Sequence, residues 1–426
     1  MFRALILASL VLIFCWVAAG ARRRVPRSHI DDDAEDDEEL YESQNEENKS
    51  KWDADEAEEV EHHPMSVTDF LREPTRSELS LRERKLLASS ELTAEVILDQ
   101  HHYFAGEPTR SFAKEVMAYV TPWNARGYET ALMMKDRLDI VCPVWFRIVR
   151  SPKTDEIEVD GVGDMNKEWL NQMKTSSCSV EDRNAELCAI HHVKIVPRVK
   201  LETEMRTDDD IVATTRLLRF LQEKYAFDGF TLEMNLNLIE KVIQFTLVLK
   251  ESYGMFIVLV APPVQVPDGE AGAKMRGALD AMTRYVDRVS VVTYDANQAQ
   301  EGPNAPLQWV KQVISSMSHN EEMRRKLLLG LPYYGWRGRE DMTGEKMIVW
   351  LASSAQQGKD VRVAWDADAA EHVFTEVGPD NRVLRRSYYP TPLFLHRRLR
   401  LADQQGLAGV AIWELGQGLA AFMDLF

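Results

Sequence analysis

Apolar and polar positions alternate in blocks from Phe112 to the end of the chain. Short apolar runs, of the length typical of buried strands, are separated by longer amphipathic stretches. Such continuous apolar strands indicate a parallel sheet that is covered on both faces. The eight strand candidates are "VMAYVTPW" (116–123), "DIVCPVWF" (139–146), "VKIVPRV" (193–199), "DGFTLEMN" (228–235), "MFIVLVAPP" (255–263), "RVSVVTYD" (288–295), "KLLLGLPYYG" (326–335) and "GVAIWELG" (409–416).

The stretches between the runs predict helices. "DDDIVATTRLLRFLQEKY" opens with aspartates that predict an N-cap, and its leucines recur at helical spacing. "LIEKVIQFTLVLKESYG" ends on Gly254, a natural C-terminal stop. Eight strands alternating with helices predict the α/β class and a (β/α)8 TIM barrel over residues 112–426. Between strands seven and eight, "EHVFTEV" and "RVLRRSYYP" flank "GPDN", which predicts a small inserted β-rich segment.

The N-terminal residues 1–21 predict a secretory signal peptide. They combine a basic start at Arg3, an apolar run and small residues at Ala19-Gly20-Ala21. The alternative is a membrane anchor, for which the run is short. No later run has the length of a membrane span, so we expect a mature chain without one, secreted or in the lysosomal or endomembrane lumen. "NKS" at Asn48 is a glycosylation acceptor motif, which agrees with secretion.

The negative charge of the chain is concentrated in one segment. Residues 31–61 hold 17 Asp and Glu against two Lys, and so account for −15 of the formal net charge of −17. Such a run cannot bury a core, so residues 22–63 predict a disordered acidic tail: a linker, a propeptide, a solubilising arm or a calcium buffer. The acidic balance argues against nucleic-acid binding. Residues 64–111 predict a linker and packing segment, with a helical pattern from Ser77 to Leu98.

The cysteines and histidines give weak signals. Cys178 and Cys188 flank a polar stretch and are a candidate disulfide, whereas Cys142 lies in an apolar run and is expected to be a buried free thiol. CxxC and HExxH motifs are absent from the sequence. Six of the ten histidines occur as adjacent pairs, whose side chains point to different sides of a strand, so we expect neither a metal nor another cofactor.

Polar and aromatic residues collect at the ends of the predicted strands, where barrel enzymes place their chemistry. Thr231, Glu233 and Asn235 are expected to share one face of strand four, because side chains alternate along a strand. Aromatic rings at neighbouring strand ends can stack on sugars, although each could also be core. The remaining candidates are Tyr119, Trp123, Trp145, Tyr294, Asp295, Tyr333 and Trp413.

These residues resemble glycoside hydrolase family 18, the chitinase family. Its strand-four motif DGxDxDxE appears here as "DGFTLEMN", with Asp228-Gly229 in place, Thr231 and Glu233 at the two Asp positions, and Asn235 at the catalytic Glu position. "VTYD", "GLPYYG" and "GVAIWELGQG" are similar to the motifs of strands six, seven and eight. The glycine-rich strand-three motif is replaced by "VPRVKLE".

The resemblance implies a sugar site in which Trp413 forms the floor, Tyr294 and Asp295 contact the N-acetyl group, and Glu233 orients polar partners. Asn235 cannot supply the proton that the family's acid donates to the glycosidic oxygen, because an amide does not titrate near neutral pH. Three functions stay open: a carbohydrate-binding lectin for N-acetylglucosamine-type glycans, a weak glycosidase that uses Glu233, and a scaffold for protein partners.

Overall fold

The computed structural model describes residues 70–105, 110–175, 192–267, 269–297 and 302–426. In chain order their strands are β1 (Thr75–Arg76), β2 (Tyr103–Phe104), β3 (Glu115–Val120), β4 (Ile140–Arg150), β5 (Ile157–Asp160), β6 (Lys194–Ile195), β7 (Arg198–Leu201), β8 (Gly229–Glu233), β9 (Phe256–Ala261), β10 (Arg288–Val291), β11 (Leu327–Pro332), β12 (Gly335–Arg337), β13 (Glu340–Met342), β14 (Asp360–Asp366), β15 (Glu371–Val377), β16 (Val383–Tyr388) and β17 (Gly409–Trp413). Their α-helices are α1 (Ala94–Gln100), α2 (Ala125–Met133), α3 (Lys167–Lys174), α4 (Asp208–Tyr225), α5 (Ile239–Leu247), α6 (Gly269–Thr283), α7 (Leu307–Met317), α8 (Glu321–Arg324), α9 (Gly344–Gln356) and α10 (Pro392–Gln404).

The predicted barrel is confirmed. Parallel strands follow one another in the order β3-β17-β11-β10-β9-β8-β7-β4, and β3 pairs with β4 to close the barrel. The third position is shared by β6 and β7, which both pair with β4 on either side of Val196-Pro197. Pro197 has no N–H to donate, which accounts for the interruption.

The barrel interior is filled by side chains from alternate strand positions. They include Met117 and Tyr119 of β3, Cys142 of β4, Val258 of β9 and Ala411 of β17, all buried. The outward side chains of the strands are covered by the helices, so β11 is buried along its whole length. Cys142 is an unpaired thiol, as expected, and burial raises its pKa to about 12.

Helix α4 begins with a capping box rather than with an aspartate cap. Thr207 is the N-cap, and its Oγ1 accepts a hydrogen bond from the Asp210 N–H at 3.2 Å. Asp210 Oδ2 in turn accepts from the Thr207 N–H at 3.0 Å. The aspartates therefore occupy the first turn, where negative charge is favourable.

The β-rich insertion between β11 and β17 is also confirmed. It is an antiparallel sheet in the order β13-β12-β16-β15-β14, together with helix α9. The predicted hairpin is β15 and β16, and β12 follows almost directly after barrel strand β11. The insertion thus starts at the C-terminal end of a barrel strand.

Residues 70–105 pack on the barrel through a buried ion pair between Arg84 and Asp424. The helical pattern from Ser77 to Leu98 gives a helix only at α1, because Lys85 adopts a left-handed φ of 62° that ends the preceding turn. Within the described residues, none of the helices is both long and apolar enough for a membrane span. The predicted signal peptide, acidic tail, Asn48, Cys178 and Cys188 lie outside the described residues.

Candidate functional site

Two aromatic rings lie at the centre of the barrel mouth. Tyr119 is buried inside the barrel, and its hydroxyl donates a hydrogen bond to Ser290 Oγ at 3.0 Å. Trp413 packs against it with ring centroids 5.1 Å apart, and Trp413 is only partly buried. Because side chains alternate along a strand, Trp413 shares the interior face of β17 with Ala411. The mouth therefore presents an accessible indole backed by a phenol ring.

Strand β8 brings Thr231 and Glu233 to the interior, as predicted. Thr231 is buried and donates to the Val196 carbonyl at 3.1 Å. Glu233 Oε2 accepts from Nε of Arg198 at 2.7 Å and from a second nitrogen of the same guanidinium. The Glu233 side chain is 37% exposed and that of Arg198 only 15%. This ion pair holds Glu233 as a hydrogen-bond acceptor on the inner wall.

Asn235 does not join them, which corrects the expectation of a shared face. Strand β8 ends at Glu233, and Asn235 is an exposed residue of the following turn. Its Oδ1 accepts from the Asn237 N–H at 3.1 Å, and its carbonyl accepts from the Leu238 N–H at 3.2 Å. An Asn side chain that bonds the backbone two residues ahead favours a turn over a continued strand.

A second carboxylate of the mouth follows β10, which is separated from β8 by β9 alone. Asp295 accepts hydrogen bonds from the Tyr334 hydroxyl and from Trp336 Nε1, the latter at 3.0 Å. Burial raises the pKa of Asp295, and the two donors offset part of this effect. Burial also raises the pKa of Tyr294, and the charges of Asp295 and Glu233 add to the shift. Tyr294 therefore lies within the electrostatic reach of both carboxylates.

Asn304 fixes the backbone on this side. Its Oδ1 accepts from the Asp295 N–H at 2.9 Å, and its Nδ2 donates to the Tyr334 carbonyl at 2.9 Å. The backbone N–H of Asn304 donates to Glu371 Oε2 at 3.1 Å. Glu371 is buried, as is Arg398, whose guanidinium lies 3.6 Å from it and donates to the carbonyls of the insertion. A buried ion pair thus supports the loop that presents Asp295.

The loops after β3 and β17 are joined by Glu414. Its Oε1 accepts from Asn124 Nδ2 at 2.7 Å, and its Oε2 accepts from the Gly416 N–H at 3.1 Å. Burial raises the pKa of Glu414 to about 7, and these two donors offset part of the shift. Trp123, next to Asn124, is 69% exposed at the rim of the barrel mouth.

Two predicted aromatics are not brought to the mouth. Trp145 is buried, and its indole N–H donates to the Tyr128 hydroxyl at 2.7 Å, beside the ring of Trp169. Tyr333 is buried against Phe422, with ring centroids 5.0 Å apart. Both rings are covered by protein and have no free face for a ligand. From the sequence, Trp145 and Tyr333 could have been either core residues or site residues. The packing of the barrel decides that their side chains face away from the mouth.

The Asp228-Gly229 pair is structural. Asp228 accepts from the Ile195 N–H at 2.8 Å, which joins β8 to β6 at the start of the strand. A Cβ on Gly229 would lie 1.7 Å from the Phe256 carbonyl oxygen, so only glycine fits between β8 and β9. This pair secures the strand that carries Glu233 without reaching the mouth.

Sequence reasoning missed Arg198 and Asn304, and among the aromatics at the end of strand seven it chose Tyr333 rather than Tyr334 or Trp336. An arginine inside an otherwise apolar strand run was a visible signal for Arg198, because a buried guanidinium needs a partner. Because side chains alternate along a strand, Tyr334 and Trp336 are expected on one face of the chain and Tyr333 on the other, which was a usable signal. Asn304 had no signal, since its role depends on contacts with two distant segments. Among the described residues, no cluster of three or more His, Cys, Asp or Glu side chains could hold a metal ion.

Residues 209–418 match the family model "Glycosyl hydrolases family 18". The matched segment runs from α4 to the turn after β17 and includes Glu233, Asp295 and Trp413. Solved structures share its fold. A class V chitinase from Pseudomonas fluorescens Pf-5 is 18% identical with a TM-score of 0.56, covering 74% of this chain and 98% of that chain.

Two further structures show how widely the fold is used. The spore cortex-lytic enzyme SleL of Bacillus cereus is 16% identical with a TM-score of 0.54, and the match covers 73% of each chain. A family 18 chitinase mutant from Cycas revoluta, solved with (GlcNAc)4, is 12% identical with a TM-score of 0.52, covering 73% of this chain and 97% of that chain. At these identities the likeness concerns the fold.

Proposed function

We propose that this protein binds N-acetylglucosamine-type oligosaccharides at the barrel mouth and does not hydrolyse them. The observation that carries the proposal is a contrast within one mouth. Trp413 offers a partly open indole above Tyr119. The position of the family's catalytic acid holds Asn235, which lies in an exposed turn and whose side chain accepts a hydrogen bond from the Asn237 N–H.

The proposed lack of hydrolysis rests on proton supply. A positioned acid contributes roughly 100- to 10,000-fold to such a reaction, and an amide cannot replace it. The nearest strand carboxylate, Glu233, is bonded to the guanidinium of Arg198. In that contact the guanidinium donates to Oε2, and Glu233 is the acceptor.

The proposed binding rests on two kinds of contact. A sugar ring packed on Trp413 buries apolar area against a rigid aromatic face at low entropic cost. Asp295, held by Tyr334 and Trp336, accepts an amide N–H or hydroxyl of the sugar. The exposed Trp123 extends the aromatic surface for a longer oligosaccharide.

Calorimetric titration with (GlcNAc)4 tests the binding. Trp413→Ala is expected to abolish it while leaving the melting temperature close to that of the wild type. The matched control is Trp365→Ala, which removes a partly buried indole from the edge strand β14, where it packs on His372 at 4.7 Å. Unchanged affinity in a folded Trp413→Ala variant would move the site away from the mouth.

A second candidate is a weak glycosidase that uses Glu233. It is favoured by one observation: among the described contacts, Glu233 Oε1 has no partner, and the side chain is accessible from the mouth. A chromogenic chitooligosaccharide separates the two functions. Turnover that disappears in Glu233→Gln would establish the glycosidase, and no turnover by either protein supports the lectin. A glycan array without any bound sugar would favour a protein-interaction scaffold.

We further propose a secreted or lysosomal location and a close kinship with chitinase domain-containing protein 1. The predicted signal peptide and Asn48 support the location, and "YVTPWNARGY", "GPNAPLQWV" and "IWELGQGL" are similar to that protein's motifs. N-terminal sequencing and enzymatic deglycosylation of the mature protein test the location.

A further inference from the structure

A second groove lies on the insertion. It has a volume of about 810 Å³ and runs between strands β12 and β13, helix α9 and strand β16. We call it the insertion groove. Cationic side chains reach it from several separate segments of the insertion: Arg337, Arg339, Lys346, Lys359 and Arg385.

The carboxylates of the insertion groove are already neutralised. Three of them line it against the five cations, which leaves a local formal charge of +2 in a chain whose net charge is −17. Each has an ion-pair partner within the groove. The pairs are Glu340 with Arg337 at 2.8 Å, Asp341 with Lys346 at 2.8 Å, and Glu376 with Lys359 at 3.1 Å.

Two of the five cations of the groove are left without a carboxylate partner there, and both are guanidinium groups. Arg339 and Arg385 are exposed, and neither has a hydrogen-bond or close ion-pair partner among the described residues, although the charge of Arg385 also acts on Glu340. The groove between them is organised by Trp350, which is buried. Its Nε1 donates to Glu376 at 3.3 Å, and the guanidinium of Arg337 lies 5.7 Å from its ring centroid. The guanidinium groups of Arg339 and Arg385 therefore flank a groove whose wall is held in place by the contacts of Trp350.

The insertion groove and the barrel mouth lie on opposite faces of β12. Trp336 donates to Asp295 at the mouth, whereas the neighbouring Arg337 lies over Trp350 in the groove. Neighbouring side chains of a strand point to opposite faces, so a ligand in the groove has no access to the mouth through this strand.

We propose that the insertion groove binds a sulfated oligosaccharide. A guanidinium matches a sulfate group through paired hydrogen bonds. The volume exceeds what a single inorganic anion fills, so the two free arginines contact two charged groups of one chain.

Fluorescence anisotropy with a labelled heparin hexasaccharide tests the proposal on the full-length protein. The double variant Arg339→Gln/Arg385→Gln is expected to lose about tenfold or more in affinity, the equivalent of one to two charge-assisted hydrogen bonds. The matched control is Arg216→Gln/Arg284→Gln, which removes the same charge from exposed arginines of α4 and of the segment after α6. The control is expected to bind as the wild type does.

Further measurements distinguish a sulfated sugar from a desulfated sugar and from free inorganic sulfate as the ligand. Binding is expected to weaken with added salt, to need sulfate on the sugar, and to persist in the presence of excess (GlcNAc)4. Equal losses in both double variants would reduce the effect to net charge and overturn the proposal. Equal binding of a desulfated, N-acetylated hexasaccharide, or equally tight binding of inorganic sulfate, would also overturn it. All four arginines are exposed, so both double variants are expected to fold, and their melting temperatures check this.

Discussion

The two sides of the barrel mouth are built differently. At the end of β8, Glu233 is paired with Arg198, and Asn235 turns into a surface loop. After β10, two strands away, Asp295 is held by Tyr334 and Trp336 and is backed by Asn304. At the end of β8, the polar side chains are engaged in local contacts. After β10, in contrast, the Asp295 carboxylate is supported by neutral donors, and β17 presents the accessible indole of Trp413. Under the proposed function, this contrast separates the contacts that hold a sugar from the position that would donate a proton.

The largest expected effect compares the two ion pairs. Glu371→Ala leaves Arg398 buried without its partner and is expected to lower the free energy of unfolding by about 3–5 kcal/mol. Glu233→Ala breaks a partly exposed pair and is expected to cost about 1 kcal/mol or less. Urea unfolding of both variants measures the difference. Similar costs would mean that the Asp295 side is no better supported than the β8 side.

A pH-dependent effect is expected at Glu414, which joins the loops around Trp413. Its pKa is raised to about 7 from 4.5, so the folded state favours the protonated carboxyl. The stability from this group is fully present below pH 4.5 and is lost as the pH rises through 7.

Glu414→Gln removes this titration. The stability of the wild type relative to this variant is expected to increase by up to about 3 kcal/mol from neutral pH to pH 4.5. Urea unfolding of both proteins across this range measures it. A pH-independent difference between the two would show that Glu414 titrates normally.

A smaller effect is expected from neutralising each carboxylate of the mouth. Asp295→Asn keeps an acceptor for Tyr334 and Trp336 but loses the charge, and is expected to weaken (GlcNAc)4 binding about tenfold. Glu233→Gln is expected to change the affinity less, because Arg198 already occupies that carboxylate. Calorimetry on the two variants ranks them. The reverse order would place the main sugar contact on the β8 side.

The smallest effect is expected from restoring an acid at the motif position. Asn235→Glu is expected to yield no measurable turnover of a chromogenic chitooligosaccharide, because residue 235 lies in an exposed turn beyond the end of β8. A rate gain in the range of 100- to 10,000-fold that an acid contributes would show that the turn rearranges and that residue 235 faces the sugar.

The sequence by itself determined the barrel, the insertion and the chemical identity of residue 235. These follow from local information: eight apolar runs of strand length, a hairpin signal at "GPDN", and an amide where the family has an acid. Alternation and motif position also predicted that Thr231, Glu233, Asp295 and Trp413 lie near the upper end of the barrel. Each of these inferences needs only neighbours in the chain.

Tertiary structure decided which candidates meet and which partners they have. Trp145 and Tyr333 looked equivalent to Trp413 as aromatics near strand ends, but the closed barrel turns their rings into the helix layer. Glu233 was visible, whereas its pairing with Arg198 joins residues 35 positions apart. Asn304 matters because Glu371 and Arg398 arrive from the insertion and from α10. Burial and pairing depend on contacts between distant segments, and a local pattern carries no information about them.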